Sequence, residues 1–245
     1  MRCGADTGGT FTDVVADDGR VAKVLSTPGD PSRGVSDGVE RLAGGAADGD
    51  RPELLAHGTT VATNALLERR GGRVALVTSA GFADVIEIAR QDRPSLYDIT
   101  VDRPVPLVPR ELRLEVGGRL DATGREIEAL DTAAVPEIPP GVDAVAVCLL
   151  HSDLDSVHEQ AVASVLAGRG VGDITCSSSV APEFREYERT VTTVVNAYLR
   201  PRCRRYLRSL TELAGPVHGM PVQVWCAGSL VRAITELPIG PLGGR

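Results

Sequence analysis

Aromatic side chains are nearly missing: three Phe, four Tyr and one Trp make up 3% of the 245 residues. A core without rings must be filled by aliphatic side chains, and the 42% hydrophobic content supplies them. No apolar run approaches the ~18 residues of a membrane-spanning helix, so no such helix is expected. The N-terminus lacks the charged-then-apolar layout of a signal peptide. A basic excess is absent too, because 26 Lys and Arg face 33 Asp and Glu, a formal net charge of -7. That balance speaks against a general nucleic-acid-binding face. Cysteine is sparse, with Cys3, Cys148, Cys176, Cys203 and Cys226 scattered, odd in number and free of any C-x-x-C pair. Neither a disulfide framework nor a zinc site is suggested, and a reducing cytoplasmic setting is the expectation.

What is plentiful is punctuation. The 27 Gly and 16 Pro imply short elements joined by turns. The most informative turn lies at the start, in Cys3-Gly4-Ala5-Asp6-Thr7-Gly8-Gly9-Thr10-Phe11-Thr12-Asp13. Gly8 and Gly9 are expected to take positive φ and to let an anion approach main-chain N–H groups. Thr7, Thr10 and Thr12 can donate to phosphate oxygens, and Asp6 and Asp13 can hold a divalent cation. On the turn alone, a nucleotide-phosphate cradle and an ordinary Gly-Gly hairpin with polar tips are both open.

The remaining pattern is α/β. Residues 2–6, 11–16 and 21–25 read as a three-stranded antiparallel meander, and a helix from about Ser32 carries Val35, Val39 and Leu42 on one face. A strand ending at His57 enters Gly58-Thr59-Thr60, where Thr59 or Thr60 suits the N-cap of a helix reaching about Arg69. Strands are expected at Val74–Val77, Leu112–Val116, Asp143–Leu149 and Ile174–Cys176, with helices opening at Gly81 and Ser156. Pro182 fits a first helical turn. Phe184, Tyr187, Val191, Val194, Val195 and Tyr198 then fall on one helical face, and Arg185, Glu186, Glu188 and Arg189 read mainly as a salt-bridged exterior. Pro201 should break or kink that helix. A last strand is read at 221–225 and a short helix to about Leu237. The charged loop Arg90-Gln91-Asp92-Arg93-Pro94 reads either as a solvated face or as an anion- or amide-binding loop.

Taken together, three blocks carry a resemblance to the hydantoinase A/ATP-dependent 5-oxoprolinase family. Asp6–Asp13 resembles its first phosphate loop. His57-Gly58-Thr59-Thr60-Val61-Ala62-Thr63-Asn64-Ala65-Leu66-Leu67-Glu68-Arg69, followed by Gly81–Val85 and Arg90–Pro94, is similar to its second block. Phe184–Thr190 with Val194–Pro201 resembles its third, and Val147–Ser152 and His158-Glu159 match between them.

The resemblance implies a ribonuclease H-like lobe of the actin/Hsp70/sugar-kinase type with an inserted α/β subdomain, binding ATP and Mg2+. It implies an N-terminal domain over 1–178 and the start of a central domain over 179–245. The family's chemistry is ATP-driven opening of cyclic amides such as hydantoins or 5-oxoproline, or activation of ketones, by phosphorylating a carbonyl or amide oxygen. In that frame Asp6 and Asp13 serve the metal or the attacking group, and Gly8, Gly9, Thr10 and Thr12 cradle phosphate. His57 joins the catalytic set, and Thr59, Thr60, Asn64 and Arg90 contact substrate. Full members also carry a second Gly-Gly-Thr loop and an adenosine-binding segment. This sequence has one such loop, and Val224–Ser229 replaces the family's Gln-Ser-Asn-Gly-Gly turn. The expectation is therefore an N-terminal lobe that needs a second subunit or complementary lobe; the other reading is an inactive remnant or regulatory subunit.

Overall fold

The computed structural model describes residues 1–27, 29–44, 52, 54–213 and 222–225. The expected short helix to Leu237, the end of the chain and Cys226 lie outside the described residues. The chain divides into two compact units: residues 1–71 together with 202–245, and residues 72–201.

The first unit begins with the expected meander, β1 (Arg2–Thr7), β2 (Phe11–Ala16) and β3 (Val21–Leu25), each alternating exposed and buried positions. Helix α1 (Pro31–Leu42) follows with Pro at its first position, where a missing N–H costs nothing. Strand β4 (Leu54–Thr59) then runs parallel to β1 and leads into the short helix α2 (Val61–Leu67). With β11 (Val222–Trp225) parallel to β4, the sheet order is β11-β4-β1-β2-β3.

One face of this sheet is buried. Cys3, Ala5, Val14, Ala16, Ala22 and Leu55 pack with Val35 and Leu42 of α1 and with Tyr206 and Leu210. Helix α1 reaches the sheet because two of its residues have no side chain. A Cβ at Gly34 would lie 2.7 Å from the Thr12 hydroxyl, and one at Gly38 would press still closer on a Val14 methyl. The small hydrophobic residues of the meander set how close the helix must come, and the two glycines permit it.

The second unit is built on β5 (Val74–Ser79), β6 (Arg113–Val116), β9 (Ala144–Cys148) and β10 (Ile174–Cys176), all parallel in the order β10-β9-β5-β6. Every residue of β5 and β9 is buried, which is why both read as unbroken apolar runs. A separate hairpin pairs β7 (Arg119–Leu120) with β8 (Glu126–Glu128). Helix α3 (Val85–Ile88) is only four residues, shorter than expected from Gly81, because Gly81 itself sits at φ +85° in a turn. Helices α4 (Val157–Gly168), α5 (Ser177–Val180) and α6 (Glu186–Leu213) complete the described elements. No described helix is long and apolar enough to cross a membrane.

Three expectations about the last helix are corrected. It starts at Glu186, so Pro182 is not in its first turn, and Phe184 precedes it and is 77% exposed. Of the break or kink expected at Pro201, the break does not occur, because the helix continues through it. There the amide of Gly72 donates to the Tyr198 carbonyl at 2.8 Å, beside the gap that proline leaves in the helical ladder. Arg189 is not exterior: it is fully buried, with its guanidinium bonded to Asp153 at 2.9 Å and to the carbonyls of Glu183 and Leu149. Nearby, buried Glu159 accepts from the Leu149 amide, the Ser177 hydroxyl and the Ser178 amide, so its charge is met by three donors.

Two stability changes are expected. Gly38→Ala should cost about 1–3 kcal/mol through overpacking against Val14, more than alanine's helix propensity returns. The reading is a lower urea midpoint at unchanged m-value, with Gly172→Ala, whose new methyl meets nothing within 4 Å, as the neutral control. Asp153→Ala strands the buried Arg189 guanidinium and should cost about 3–5 kcal/mol in the same assay.

Candidate functional site

The Gly-Gly turn joins β1 to β2 at the C-terminal ends of the parallel strands β1 and β4, the edge where open α/β sheets bind ligands. The turn is clamped from β3's end. The Ser26 amide donates to the Thr10 carbonyl at 2.9 Å, the Ser26 hydroxyl donates to the Gly8 carbonyl at 3.0 Å, and the Gly8 amide donates to the Phe11 carbonyl at 3.0 Å. Among the described residues no acceptor takes the Gly9 or Thr10 amide. Both donors are left for a ligand.

Helix α2 is docked on the same turn. The Thr60 hydroxyl donates to the Thr7 carbonyl at 3.4 Å, and the Asn64 side-chain amide donates to the Thr60 hydroxyl at 3.2 Å. A Cβ on Gly9 would lie 3.7 Å from that Asn64 nitrogen. Thr59 accepts from the Val61 amide at 3.2 Å, a local turn bond, while Thr60 holds the N-cap position without a side-chain cap bond.

Strand alternation sorts the predicted residues into two groups. Asp6 of β1 and Asp13 of β2 are direct cross-strand partners on the face left open by α1, and Asp6 is paired across β4 with Gly58. Gly58 matters sterically, because a Cβ there would stand 3.3 Å from an Asp6 carboxylate oxygen. Asp13 is held by Lys23 of β3 at 2.7 Å. Among the described residues no Lys or Arg pairs with Asp6.

Three expectations change here. Neither Gly8 nor Gly9 has positive φ. Gly8 is needed because a Cβ would press on the Phe11 carbonyl at 3.3 Å, whereas a Cβ on Gly9 would make only ordinary contact with Asn64. Thr12, expected to cradle phosphate, is fully buried, its hydroxyl against Ser26 at 3.0 Å and Thr7 at 3.4 Å, so it braces the turn from beneath. His57 is 1% exposed and lies on the buried face, hydrogen-bonded through Nε2 to the Tyr206 hydroxyl. It stands on the opposite face from Asp6 and Asp13. Burial pushes its pKa below the ordinary histidine value, opposed by the Ala5 backbone and the charge of Asp6. Arg90 belongs to the other unit, where its guanidinium is paired with Glu188 at 2.5 Å.

The turn and its neighbours thus bring together Asp6, Gly8, Gly9, Thr10, Asp13, Thr59, Thr60 and Asn64. Lys23 and Ser26 join them and were missed in the sequence, since each lies a full strand away from the motif. Cross-strand register is the signal that finds them. In the second unit a cavity of about 840 Å3 is walled by Tyr187, Val191, Val194 and the Pro104–Pro109 segment. The guanidiniums of Arg103, Arg110 and Arg113 in its lining are each ion-paired. None of the predicted site residues lines it.

Residues 2–170 match the model of the hydantoinase/oxoprolinase N-terminal region. The chain belongs to that family. The alpha subunit of caprolactamase from Pseudomonas jessenii is 37% identical over 231 residues, which cover 86% of this chain and 33% of that protein. 5-Oxoprolinase 1 of Arabidopsis thaliana is 33% identical over 249 residues, covering 84% of this chain and 19% of that protein. The crystal structure of the ATP-dependent caprolactamase of Pseudomonas jessenii superposes with a TM-score of 0.77 at 35% identity, over 91% of this chain and 35% of that one. This hydantoinase/oxoprolinase chain therefore spans about a fifth to a third of the length of these relatives. Its mixed α/β architecture is that of the caprolactamase structure.

One consequence of the buried histidine is measurable. The folded-state pKa lies below the unfolded value of about 6.5, so as pH falls the unfolded chain takes up the proton first. The stability linked to His57 is complete above that value and declines below it. The urea midpoint should therefore drop between about pH 7 and about pH 5 more steeply in the native chain than in His57→Gln. Equal slopes would show that His57 is not held neutral.

Proposed function

We propose that the turn after β1 is a nucleotide-phosphate site, and that the chain is the ATP-side portion of an enzyme that opens cyclic amides. The observation that carries the reading is the pair of amides at Gly9 and Thr10 that no described residue accepts from, in the turn at the C-terminal edge of parallel strands that follows Asp6 on β1. Backbone amides so placed suit phosphate oxygens, as helix termini and glycine nests do. The group expected there, ATP with Mg2+, fits the donor set. Among the described residues no three His, Cys, Asp or Glu side chains gather for a metal. Mg2+ nevertheless needs only one or two carboxylates when phosphates and water complete its shell, and Asp6 and Asp13 supply two.

In this reading Gly9 and Thr10 orient the phosphates through their amides, with the Thr10 hydroxyl beside them. Gly8 keeps the turn tight against Phe11, and Thr12 and Ser26 hold it from below. Asp6 and Asp13 hold the metal. Thr59, Thr60 and Asn64 line the same edge and position the substrate side. ATP supplies the phosphoryl group that converts a poor amide electrophile into one with a leaving group. The chain's own task is then positioning and charge neutralisation, on which phosphoryl transfer chiefly depends. His57 is assigned the role of a neutral core residue, and Arg90 is kept as a substrate-side candidate of the second unit.

The sheet order β11-β4-β1-β2-β3, antiparallel over the meander and parallel beyond it, supports the finer assignment of a ribonuclease H-like lobe of the actin/Hsp70/sugar-kinase type. The insertion of residues 72–201 between the two parts of the first unit supports an inserted α/β subdomain. The division into a family N-terminal domain over 1–178 and the start of a central domain over 179–245 is part of the same proposal, beside the family match over 2–170. The chain covers a third of a protein named as a subunit, and this supports a partner: a second subunit or complementary lobe closing on the nucleotide. Small cyclic amides such as lactams, 5-oxoproline and hydantoins are the substrate class.

The test is calorimetric titration of the full chain with Mg·ATP. Binding is expected, and Gly9→Ala should weaken it about tenfold or more, because its methyl occupies the anion's approach. The methyl makes only ordinary contact with Asn64, so the fold should be unaffected. Unchanged affinity in the folded variant would remove the turn from the site.

A further inference from the structure

A lateral row crosses the open face of the first sheet. Gly58 of β4, Asp6 of β1, Asp13 of β2 and Lys23 of β3 are consecutive cross-strand partners. Two carboxylates directly opposite each other destabilise a sheet. The row compensates only one of them: Lys23 Nζ lies 2.7 Å from Asp13 and 5.0 Å from the Phe11 ring centroid. Phe11 directly follows Thr10, whose amide belongs to the proposed phosphate cradle, so one side chain links the cradle's strand to the ammonium. The pair is well exposed, 59% for the Lys23 side chain and 43% for that of Asp13. Exposed pairs contribute little and exchange partners readily.

We propose that Lys23 makes divalent-cation binding at Asp6 and Asp13 conditional on a triphosphate. The inference rests on the nucleotide reading above. Without nucleotide, the ammonium occupies Asp13 and repels a second cation from the row. When phosphate oxygens arrive at the Gly9 and Thr10 amides, they draw the ammonium to themselves. Asp13 is released beside Asp6, and the divalent cation and the phosphates are held together. Lys23 thus becomes a phosphate contact and sets the order of arrival, so that metal comes with nucleotide and not before it. The Phe11 ring supports the side chain's stem in either position.

The experiment titrates Mn2+, as a spectroscopic substitute for Mg2+, into the full chain with and without a non-hydrolysable ATP analogue, reading free Mn2+ by electron paramagnetic resonance. The native chain should bind Mn2+ weakly alone and about tenfold or more tightly with the analogue. Lys23→Met, which keeps the stem on Phe11, should bind Mn2+ alone about tenfold more tightly than native and the analogue about tenfold more weakly. Lys23→Arg should behave as native, and Lys23→Gln replaces Lys23→Met if the latter melts early. A purely structural lysine would weaken both ligands together. If Lys23→Met leaves Mn2+ affinity unchanged or lower while Asp6→Asn still abolishes it, the role given to Lys23 is overturned and the nucleotide reading stands. If the native chain binds neither Mn2+ nor the analogue, the nucleotide reading falls, and this inference with it.

Discussion

Everything at the candidate site depends on the side-chain alternation of β1 and its register with β2, β3 and β4. Once Cys3, Ala5 and Thr7 face the core, Asp6 must face away from it. Register then carries the decision sideways, placing Asp13, Lys23 and Gly58 in Asp6's row and His57 and Thr12 on the opposite face. A slip of one residue would exchange the two sets, burying carboxylates and exposing a core histidine. The cost of that exchange fixes the register, and the site's chemistry follows.

Packing beneath the sheet serves the same end. Gly34 and Gly38 let α1 close on Thr12 and Val14, and Thr12 in turn meets Ser26, which grips the turn through Gly8 and Thr10. A chain of contacts thus runs from a helix to the turn's backbone, where the Gly9 and Thr10 amides have no acceptor among the described residues. Such a turn is preorganised, so little ordering entropy remains to oppose an anion. The second unit relies on another device. Its two central parallel strands, β5 and β9, are sealed on both faces, and the charges it buries, Glu159, Arg189 and Arg113, are each met by several donors or acceptors. Arg189 Nε and Arg113 Nη1 are nonetheless left without a hydrogen-bond partner among the described residues.

Much of this was legible along the chain. The meander, the strand before Gly58, the buried runs at 74–79 and 144–148 and the helix after Ser156 follow from periodicity and turn residues alone. The family blocks located the turn and α2. What periodicity could not reach was the reason for a residue: Gly8 of the turn serves close approach to the Phe11 carbonyl, not positive φ, and Pro201 stays inside a helix that it was expected to break or kink. Arg189 read as exterior because helical spacing says which face a residue occupies, and nothing about the Asp153 waiting there.

The sequence by itself determined the family, the α/β class and which short stretch forms the candidate site, since these rest on local composition and contiguous motifs. Tertiary structure alone decided which members of that stretch face the core and which the open side of the sheet. His57 and Asp6 lie in matched motifs, yet one is sealed against Tyr206 and the other left open, because neighbouring strands assign faces that no single segment can specify. Lys23 entered the site for the same reason, through a register formed between strands and not written within either one.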